Sequence, residues 1–445
     1  MDTKSNDSRV VMLPWLGHGH ILPFLELAKK LSRKSFQIYF CSTPINLNPI
    51  KNKISDYNSI ELVEFLLPSS PELLPHFHTT NGLPPHLMST LVKAFEMSSP
   101  NFSQILKTLN PDLIIYDINQ PWVPKLASSH QIPAVHFQTS GATASAYFYC
   151  LVKNPGIPFP STKICLNRSE LIKISQPPRE EGDENRVFEC FTSSNEIMLI
   201  KSSREIEGKF LDCLSALINK RIVPVGPLVQ ELVFTNQEND DIIMQWLSRK
   251  QELSTVYMSF GTESFLSRKD MEELAYGLEL SNVNFIWVIK FPEGEKIKAV
   301  EALPQGFLER IGERGLVVEG WAPQSKILGH KSVGGFVSHC GWSSVMESII
   351  FGVPIIAIPL QNDQPLNARL VVEVGFGLEV EKDERLEFGR GDVERVVKEV
   401  VVEKRGEILR RKARELSEEM KVKGEEQVNG AIKELKTLCH KNYLD

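Results

Sequence analysis

Short apolar runs that alternate with helical patterns constrain this chain more than any other feature of its sequence. In the first half, runs at residues 10–13, 36–41, 113–116 and 134–137 have the length of buried strands. Apolar residues recur at helical spacing across 21–31, directly after the first run. Strands joined by helices form parallel sheets covered on both faces, and such strands are continuously apolar. The pattern therefore predicts an α/β fold.

A change of composition near residues 224–240 divides the chain. The segment PVGPLVQELVFTNQEND has paired prolines and then a polar run, as expected of a linker, and the length of 445 residues favours two domains. The alternation then restarts, with strands expected at 256–260, 285–289, 317–319, 335–338 and 354–358. We therefore expect two similar α/β domains whose strand ends face a shared cleft, since ligands of such sheets lie beyond the carboxyl ends of the strands.

Charge and cysteine usage exclude several classes of protein. The net charge is −6 and the sequence pI is about 6.0, which argues against a nucleic-acid surface. The seven cysteines include no CxxC pair, as in a reduced intracellular protein. No apolar stretch has the length of a signal-peptide core or a membrane span. We expect a cytoplasmic protein without stable membrane insertion.

The segment Gly17-His-Gly-His follows a predicted strand and opens a helix. It resembles a dinucleotide fingerprint, but Leu22 stands where the third glycine belongs, so nicotinamide binding is disfavoured. His20 at a helix start is kept neutral by the helix dipole, and a neutral imidazole beside a carboxylate can accept a proton. Asp117, at the end of a buried strand, is the candidate partner. The structural alternative is a helix-capping histidine and an unrelated loop carboxylate.

A second group of candidate residues lies within 321–364. A predicted strand leads into HCGW, and a helix is expected to begin at Ser343 or Ser344, where unpaired N–H groups can bind an anion. Ser344 and Glu347 also match a capping box, which is a purely structural alternative. The His–Cys pair has no second ligand pair at metal-site spacing, and no DxD motif occurs, so we expect no metal.

These 44 residues closely resemble the signature of plant family 1 UDP-glycosyltransferases. The match covers W-A-P-Q, H-C-G-W, S-x-x-E-S, G-V-P and D-Q at the right offsets, and PWLGHGHILPFLELAKKL, YDINQPWVPKLA, FQTSG, PVGPL and SFGTES extend it along the chain. The resemblance implies the GT-B fold, with two Rossmann-like domains facing a cleft. On this basis we assign an acceptor-binding domain to 1–228, a linker to 229–240, a UDP-sugar-binding domain to 241–425, and to 426–445 a helix that packs back on the N-terminal domain.

The resemblance also implies roles for single residues. His20 matches the catalytic base, Asp117 matches the aspartate that orients it, and His18 stands where the family usually has glutamine. The donor-binding residues follow in the same way. Trp321 matches the residue that stacks on uracil, Ala322 and Gln324 match the contacts to the edge of that base, and Glu347 matches the residue that holds the ribose. The diphosphate contacts are matched by His339, Ser344 and Thr262, and Ser343 replaces an asparagine that contacts phosphate. The contacts to the donor sugar are matched by Trp342, Asp363, Gln364 and Thr139.

The expected reaction is an inverting, metal-independent transfer of a sugar from a UDP-sugar co-substrate, with no further cofactor. Gln364 goes with glucose donors in this family. FCSTPINL, LPPHLMSTL, DINQPW and DQPLNARL resemble the branch that extends plant flavonoid, terpenoid or lignan glycosides, with a 1→6 linkage favoured and 1→2 next. We expect a monomer. The alternatives are a glucosyltransferase acting directly on an aglycone hydroxyl, a nicotinamide-dependent oxidoreductase, and a non-catalytic nucleotide-sugar binding protein.

Overall fold

The polypeptide folds into two units, each built around one parallel sheet. The structure, a computed structural model, describes residues 7–68, 70–175, 183–230, 238–291 and 298–441. Unit 1 comprises Met1–Pro160, Arg179–Leu228 and Val422–Asp445, and unit 2 comprises Ser161–Pro178 and Val229–Lys421.

The secondary structure alternates along the chain as the apolar pattern indicates. The strands are β1 (Ser8–Leu13), β2 (Phe36–Ser42), β3 (Ile60–Glu64), β4 (Leu113–Tyr116), β5 (Ala134–Gln138), β6 (Ile197–Ile200), β7 (Arg221–Pro224), β8 (Thr255–Ser259), β9 (Asn284–Ile289), β10 (Gly315–Glu319), β11 (Val333–Ser338), β12 (Ile355–Ala357) and β13 (Gly377–Glu379). The helices are α1 (His18–Ser32), α2 (Pro44–Leu47), α3 (Met88–Met97), α4 (Ser99–Leu109), α5 (Trp122–Ser129), α6 (Ala142–Lys153), α7 (Arg168–Ser175), α8 (Asp183–Thr192), α9 (Arg204–Ile218), α10 (Glu238–Ser248), α11 (Arg268–Ser281), α12 (Ala299–Ala302), α13 (Phe307–Ile311), α14 (Gln324–Leu328), α15 (Trp342–Ile350), α16 (Gln364–Val374), α17 (Arg390–Val401) and α18 (Lys404–Lys441). Short 3-10 helices lie at Asn48–Lys53, Pro75–Phe77, Pro85–Leu87 and Gly312–Arg314.

The sheet of unit 1 has the strand order β3-β2-β1-β4-β5-β6-β7 within the described residues, and its paired strands are parallel. Every residue of β4 is buried, because helices cover both faces of the sheet. The strand order reverses between β1 and β4, where Leu13 pairs with Tyr116. Connections that leave in opposite directions open a crevice at such a switch point, and it is the usual ligand site of these sheets.

The sheet of unit 2 repeats this plan, with the order β10-β9-β8-β11-β12-β13 and parallel pairing in the part of the chain that is described. Its order reverses between β8 and β11, where Ser259 pairs with Ser338. Both strands are buried along their whole length. The two parallel sheets confirm the predicted α/β class.

The second half of the long helix α18 belongs to unit 1. Its apolar residues Val428, Ala431, Ile432, Leu435 and Leu438 belong to the same core cluster as β1, α1 and β2. Arg221 on β7 donates to both carboxylate oxygens of Glu434, at 2.8 and 2.6 Å. Helix α18 is therefore anchored in unit 1 by apolar burial and by a bidentate ion pair.

One domain assignment made from the sequence differs from the division into units. Residues 161–175 group with unit 2, although we assigned all of 1–228 to the N-terminal domain. The physical reason is an ion pair between Glu170 and Arg369 of unit 2. The charged C-terminal part of the chain forms two helices, α17 and α18, with a break at residues 402–403. Residues 65–90 contain two short 3-10 helices and the start of α3.

Two other assignments are covered only in part. Residues 231–237 of the predicted linker lie outside the described residues, as do 442–445 of the predicted terminal helix. Within the described residues, no helix is both long enough and apolar enough to cross a membrane.

We expect Leu435→Ala to destabilise unit 1, because Leu435 is completely buried in its core and truncation leaves a cavity. The free energy of unfolding should fall by about 2–5 kcal/mol, measured by urea denaturation. Val422→Ala is the matched control on the same helix, since Val422 is 62% exposed and should change little. Equal effects of the two substitutions would contradict the packing of α18 into this core.

Candidate active site

His20 lies at the switch point of unit 1. Helix α1 begins at His18, directly after an extended Gly17, and no side chain caps its first turn. His20 Nδ1 lies 2.9 Å from Asp117 Oδ2 and 3.0 Å from Thr139 Oγ1. A carboxylate oxygen only accepts hydrogen bonds, so the pair favours the tautomer with the proton on Nδ1 and the lone pair on Nε2. The imidazole is thus oriented for accepting a proton at Nε2.

Asp117 is fully buried and is held by backbone donors as well as by His20. Its Oδ2 accepts from Trp15 N at 2.9 Å, and its Oδ1 accepts from Ile118 N at 2.7 Å. Gln120 accepts from Asp117 N at 3.2 Å and donates to Leu13 O at 3.0 Å, which ties the end of β4 to the end of β1. Burying a carboxylate has a small cost in folding free energy only when hydrogen-bond donors of this kind surround it. The network therefore fixes both members of the His20–Asp117 pair.

The structure thus brings together three of the residues predicted for the N-terminal half of the site, His20, Asp117 and Thr139. Thr139 is 6% exposed, and its described contact is with the imidazole. The contact of Thr139 with a donor sugar stays a prediction.

Glu207 is a further buried carboxylate beside this site, and we did not predict it. It accepts from Ala142 N at 2.9 Å and Thr143 N at 2.7 Å, so it caps the helix that follows Thr139, and Ser202 also donates to it. Burial raises the pKa of Glu207, and these hydrogen bonds oppose the rise. Sequence reading could not find it, because Glu207 is separated from Ala142 by 65 positions.

The switch point of unit 2 holds His339 between two glycines. A Cβ on Gly261 would lie 2.9 Å from Cε1 of His339, and a Cβ on Gly341 would lie 2.5 Å from Nε2. Any larger residue at either position would displace the ring. Gly261 also has φ of +78°, which favours glycine, and Thr262 follows it directly in the chain.

His339 is a neutral hydrogen-bonding group at physiological pH. Burial lowers its pKa to about 4, and Nδ1 has no hydrogen-bond partner among the residues that the structure describes. Buried ring nitrogens are normally paired, so an unpaired one is a position where a bound group can supply the partner.

The turn after His339 is strained. Cys340 has φ of +61°, a left-handed conformation that costs a non-glycine residue about 1–2 kcal/mol. Asn367 holds the turn by donating to Cys340 O at 3.0 Å, and Ser338 Oγ accepts from Cys340 N at 3.1 Å. The turn leads directly into the N-terminus of α15.

Helix α15 begins at Trp342, with Gly341 as its N-cap and no side-chain cap. The predicted capping box of Ser344 and Glu347 is therefore wrong, because Ser344 lies inside the first turn and not at the cap. The N-cap residue is a glycine, and the N-terminus of a helix directs its first-turn N–H groups and the positive end of its dipole toward the position that an anion can take. Ser343 is half-buried, Ser344 is buried, and Trp342 is 4% exposed.

Glu347 is bound to another predicted residue. Gln324 Nε2 donates to the carboxylate of Glu347, and Tyr257 Oη donates to Gln324 Oε1 at 3.3 Å. Trp321 is 56% exposed, whereas the neighbouring Ala322 is buried. The structure thus joins Gln324 and Glu347 directly, whereas the roles of these residues and of Trp321 in binding uracil and ribose stay predictions.

Two residues predicted to contact the donor sugar lie at the start of α16. Asp363 Oδ2 accepts from Asn367 at 3.0 Å. Gln364 Oε1 accepts from Leu360 N and Gln361 N, both at 2.9 Å. Because the amide oxygen of Gln364 already accepts from two backbone donors, Nε2 is the atom of this side chain that can donate to a ligand, and its contact with a donor sugar stays a prediction.

Among the residues that the structure describes, no group of three or more His, Cys, Asp or Glu side chains is arranged to hold a metal ion. The expected metal independence stays a prediction.

Comparison with known proteins identifies the class. The chain has the GT-B fold, and its likeness to solved plant glycosyltransferases extends over nearly its whole length. Residues 238–418 match the family described as "UDP-glucoronosyl and UDP-glucosyl transferase", and residues 6–230 match "Glycosyltransferase, N-terminal domain". The chain belongs to the UDP-glycosyltransferase family and is an enzyme of that family.

Three similar proteins illustrate the match. The chain is 52% identical to "UDP-glucosyltransferase 29" of Panax ginseng, over 99% of both chains. It is 51% identical to "Beta-D-glucosyl crocetin beta-1,6-glucosyltransferase" of Gardenia jasminoides, over 94% of this chain and 96% of that one. Among solved structures, Phytolacca americana UGT2 complexed with UDP-2fluoro-glucose and pterostilbene has a TM-score of 0.80 at 27% identity, covering 97% of this chain and 99% of that chain.

His136 allows a test of burial beneath the site. His136 on β5 lies opposite Tyr116 on β4. Burial lowers the pKa of His136 to about 4, although the charge of Asp117 and the hydrogen bond to Gln138 act to raise it. Between about pH 4 and 6.5 the unfolded state therefore binds more protons at His136 than the folded state does. The contribution of the neutral His136 to the free energy of unfolding is complete above about pH 6.5 and is lost as the pH falls through about 4.

We therefore expect His136→Phe to lose less stability than the wild type when the pH is lowered from 7 to 5, measured by urea unfolding at each pH. The ring of His136 already packs against Tyr116 and Phe191, so phenylalanine suits the position. His86→Phe, at an exposed position, should leave the pH dependence unchanged. An unchanged pH slope in His136→Phe would show that His136 contributes nothing to acid sensitivity.

Proposed function

We propose that this enzyme transfers glucose from UDP-glucose to a hydroxyl of a sugar already attached to a plant small molecule, with inversion at the anomeric carbon and without a metal ion. The observation that carries the proposal is the His20–Asp117 pair, with its 2.9 Å hydrogen bond at the switch point of unit 1. A base that is oriented by a buried carboxylate is what attack by a neutral hydroxyl requires.

His20 Nε2 takes the proton of the acceptor hydroxyl while the oxygen of that hydroxyl forms a bond to the anomeric carbon of the donor sugar. The bond between that carbon and the β-phosphate oxygen breaks, and UDP leaves with the electron pair. Asp117 stabilises the imidazolium that forms. One displacement of this kind inverts the centre, so an α-linked donor gives a β-linked product.

The leaving diphosphate needs positive electrostatic potential, and neutral donors can supply it. The first turn of α15, with Ser343 and Ser344, and the unpaired Nδ1 of His339 support this role, together with Thr262. Each preorganised donor can contribute about 3 kcal/mol in a transition state. The proposal therefore needs no divalent cation.

The acceptor side supports a polar substrate. The segment HFHTTNG at residues 76–82 is held against Leu16, because Thr80 N donates to Leu16 O at 2.8 Å and Thr79 Oγ1 donates to the same oxygen at 3.3 Å. Leu16 precedes His20 by four residues in the chain, and the proposal assigns this polar segment to the acceptor site. Its hydroxyl and amide groups suit the hydroxyls of an acceptor sugar.

Glucose as the donor and a 1→6 linkage are the favoured details. Gln364 supports glucose, and the relative from Gardenia is named for a β-1,6 transfer to a glucosyl compound. A 1→2 linkage is next, and direct glucosylation of an aglycone hydroxyl is the alternative. A matrix of UDP-sugars against glycosides and their aglycones, with the product linkage determined, distinguishes these cases. A cytoplasmic, monomeric enzyme remains part of the proposal.

We expect His20→Ala to lower kcat by about 10²- to 10⁴-fold, the usual contribution of a general base. UDP should bind with unchanged affinity, because the substitution removes only the base. His18→Ala is the matched control, since it removes the neighbouring histidine of the same helix turn and should keep most of the activity. Product formation from UDP-glucose by chromatography and UDP binding by calorimetry provide the readouts.

Asp117→Asn extends the same experiment. The amide keeps much of the side-chain shape but cannot stabilise an imidazolium, so we expect a smaller loss than in His20→Ala and an altered pH dependence of kcat/KM. An unaltered pH profile, or near-normal turnover in His20→Ala, would remove the pair from the proposed mechanism.

We expect excess EDTA to leave the rate of glucose transfer unchanged, because the proposed diphosphate site uses neutral donors and helix N–H groups. The rate should be measured with and without chelator and again after addition of Mg²⁺. A strong loss that Mg²⁺ restores would overturn the metal-independent mechanism.

A further inference from the structure

Residues 161–175 belong to unit 2, although the sequence on both sides of this segment belongs to unit 1. Helix α7 begins within it, and its N-terminus is closed by a reciprocal pair. Asn167 Oδ1 accepts from Glu170 N at 2.9 Å, and Glu170 Oε2 accepts from Asn167 N at 2.8 Å. This arrangement fixes the carboxylate of Glu170 before any other partner is considered.

Glu170 binds Arg369, which lies on α16. Arg369 Nη1 donates to Oε2 at 2.8 Å and Nη2 donates to Oε1 at 2.7 Å, while Nη1 also donates to Cys165 O at 2.6 Å. The side chains are 8% and 19% exposed, so solvent screens the pair weakly. Bidentate Arg–carboxylate pairs fix geometry in addition to charge. Helix α16 is thereby held in one orientation by a segment nearly 200 positions away.

The N-terminal end of the same helix carries the residues proposed to meet the donor sugar. Asn367, two residues before Arg369, donates to both Asp363 and the carbonyl of Cys340. Gln364 begins the helix, about 7.5 Å along its axis from Arg369 at 1.5 Å per residue. A helix is stiff over this distance, so a shift at Arg369 is transmitted to Gln364 and Asp363.

A further charged group faces the ion pair. Glu379 on β13 interacts with Arg369, and burial raises the pKa of Glu379 while Arg369 lowers it. Removing the Glu170 carboxylate would therefore leave Arg369 with Glu379 as a competing partner. The expected result is reorientation of Arg369 and, with it, of α16.

We propose that Glu170 and Arg369 are positioning residues for donor-sugar recognition: their ion pair sets helix α16 so that Asp363 and Gln364 meet the sugar of the UDP-sugar. The inference rests on the proposed role of those two residues in holding the sugar. It assigns no role to the ion pair in binding uracil, ribose or diphosphate, since the residues proposed for those groups lie on other elements.

The test compares the affinities of full-length variants for UDP and for UDP-glucose by calorimetry. Glu170→Gln should bind UDP within about twofold of the wild type but bind UDP-glucose about tenfold more weakly, the factor expected for one lost hydrogen bond. In turnover, KM for UDP-glucose should rise more than kcat falls. Arg369→Lys keeps the positive charge but cannot form the bidentate pair, so it should shift the ratio of the UDP and UDP-glucose affinities in the same direction by a smaller factor.

Glu273→Gln is the matched control. Glu273 on α11 forms a bidentate pair of the same type with Arg390 at the start of α17, also in unit 2. This variant should leave the ratio of UDP to UDP-glucose affinities unchanged. If Glu170→Gln does not fold, Arg369→Lys provides the comparison.

Two results would overturn the inference. In the first, both variants of the Glu170–Arg369 pair lower the affinities for UDP and for UDP-glucose by the same factor, which would show that the pair supports unit 2 as a whole. In the second, neither affinity changes, which would show that the pair does not act on the sugar site. Failure of the proposed function is a separate result, because the wild type itself would then transfer no glucose, whatever the ratios in the variants.

Discussion

Neighbouring parallel strands end at the same edge of their sheet, and both groups of functional residues depend on this constraint. The pairing of Leu13 with Tyr116 brings the residues after β1 beside Asp117, and the pairing of Ser259 with Ser338 brings Gly261 against His339. Each pairing lies where the strand order reverses, so the helices that follow diverge and leave polar groups at the open end. The same topology therefore places the proposed base at the switch point of one unit and the proposed diphosphate site at the switch point of the other.

Buried polar groups at this edge of the sheet lower the stability of the fold unless they find hydrogen-bond partners. Asp117 is compensated by two backbone N–H groups and an imidazole, and Glu207 by the first turn of α6 and a hydroxyl. His339 is instead kept neutral by burial, and the strained Cys340 is held by Asn367. Hydrogen bonds of this kind hold the carboxylates of Asp117 and Glu207 in fixed positions, which is the property that preorganised catalysis requires.

Sequence reasoning was most reliable where one strand or one helix decides the outcome. The mainly apolar runs at 113–116 and 335–338 lie within strands β4 and β11, because a parallel strand covered on both faces is mostly apolar. It failed at the capping box of Ser344 and Glu347, where the motif was present but the helix started two residues earlier, at Trp342. It also misplaced residues 161–175, because the ion pair of Glu170 with Arg369 spans 199 positions and leaves no local pattern.

The sequence by itself determined the α/β class, the family, and the candidate residues of both switch points, because strand periodicity and the motif from 321 to 364 are local properties of the chain. Only the tertiary structure decided which groups meet: that Asp117 binds Nδ1 of His20, that Gln324 binds Glu347, and that α16 is anchored by Glu170. These pairings depend on strand order and helix packing, which bring together residues that are tens to hundreds of positions apart.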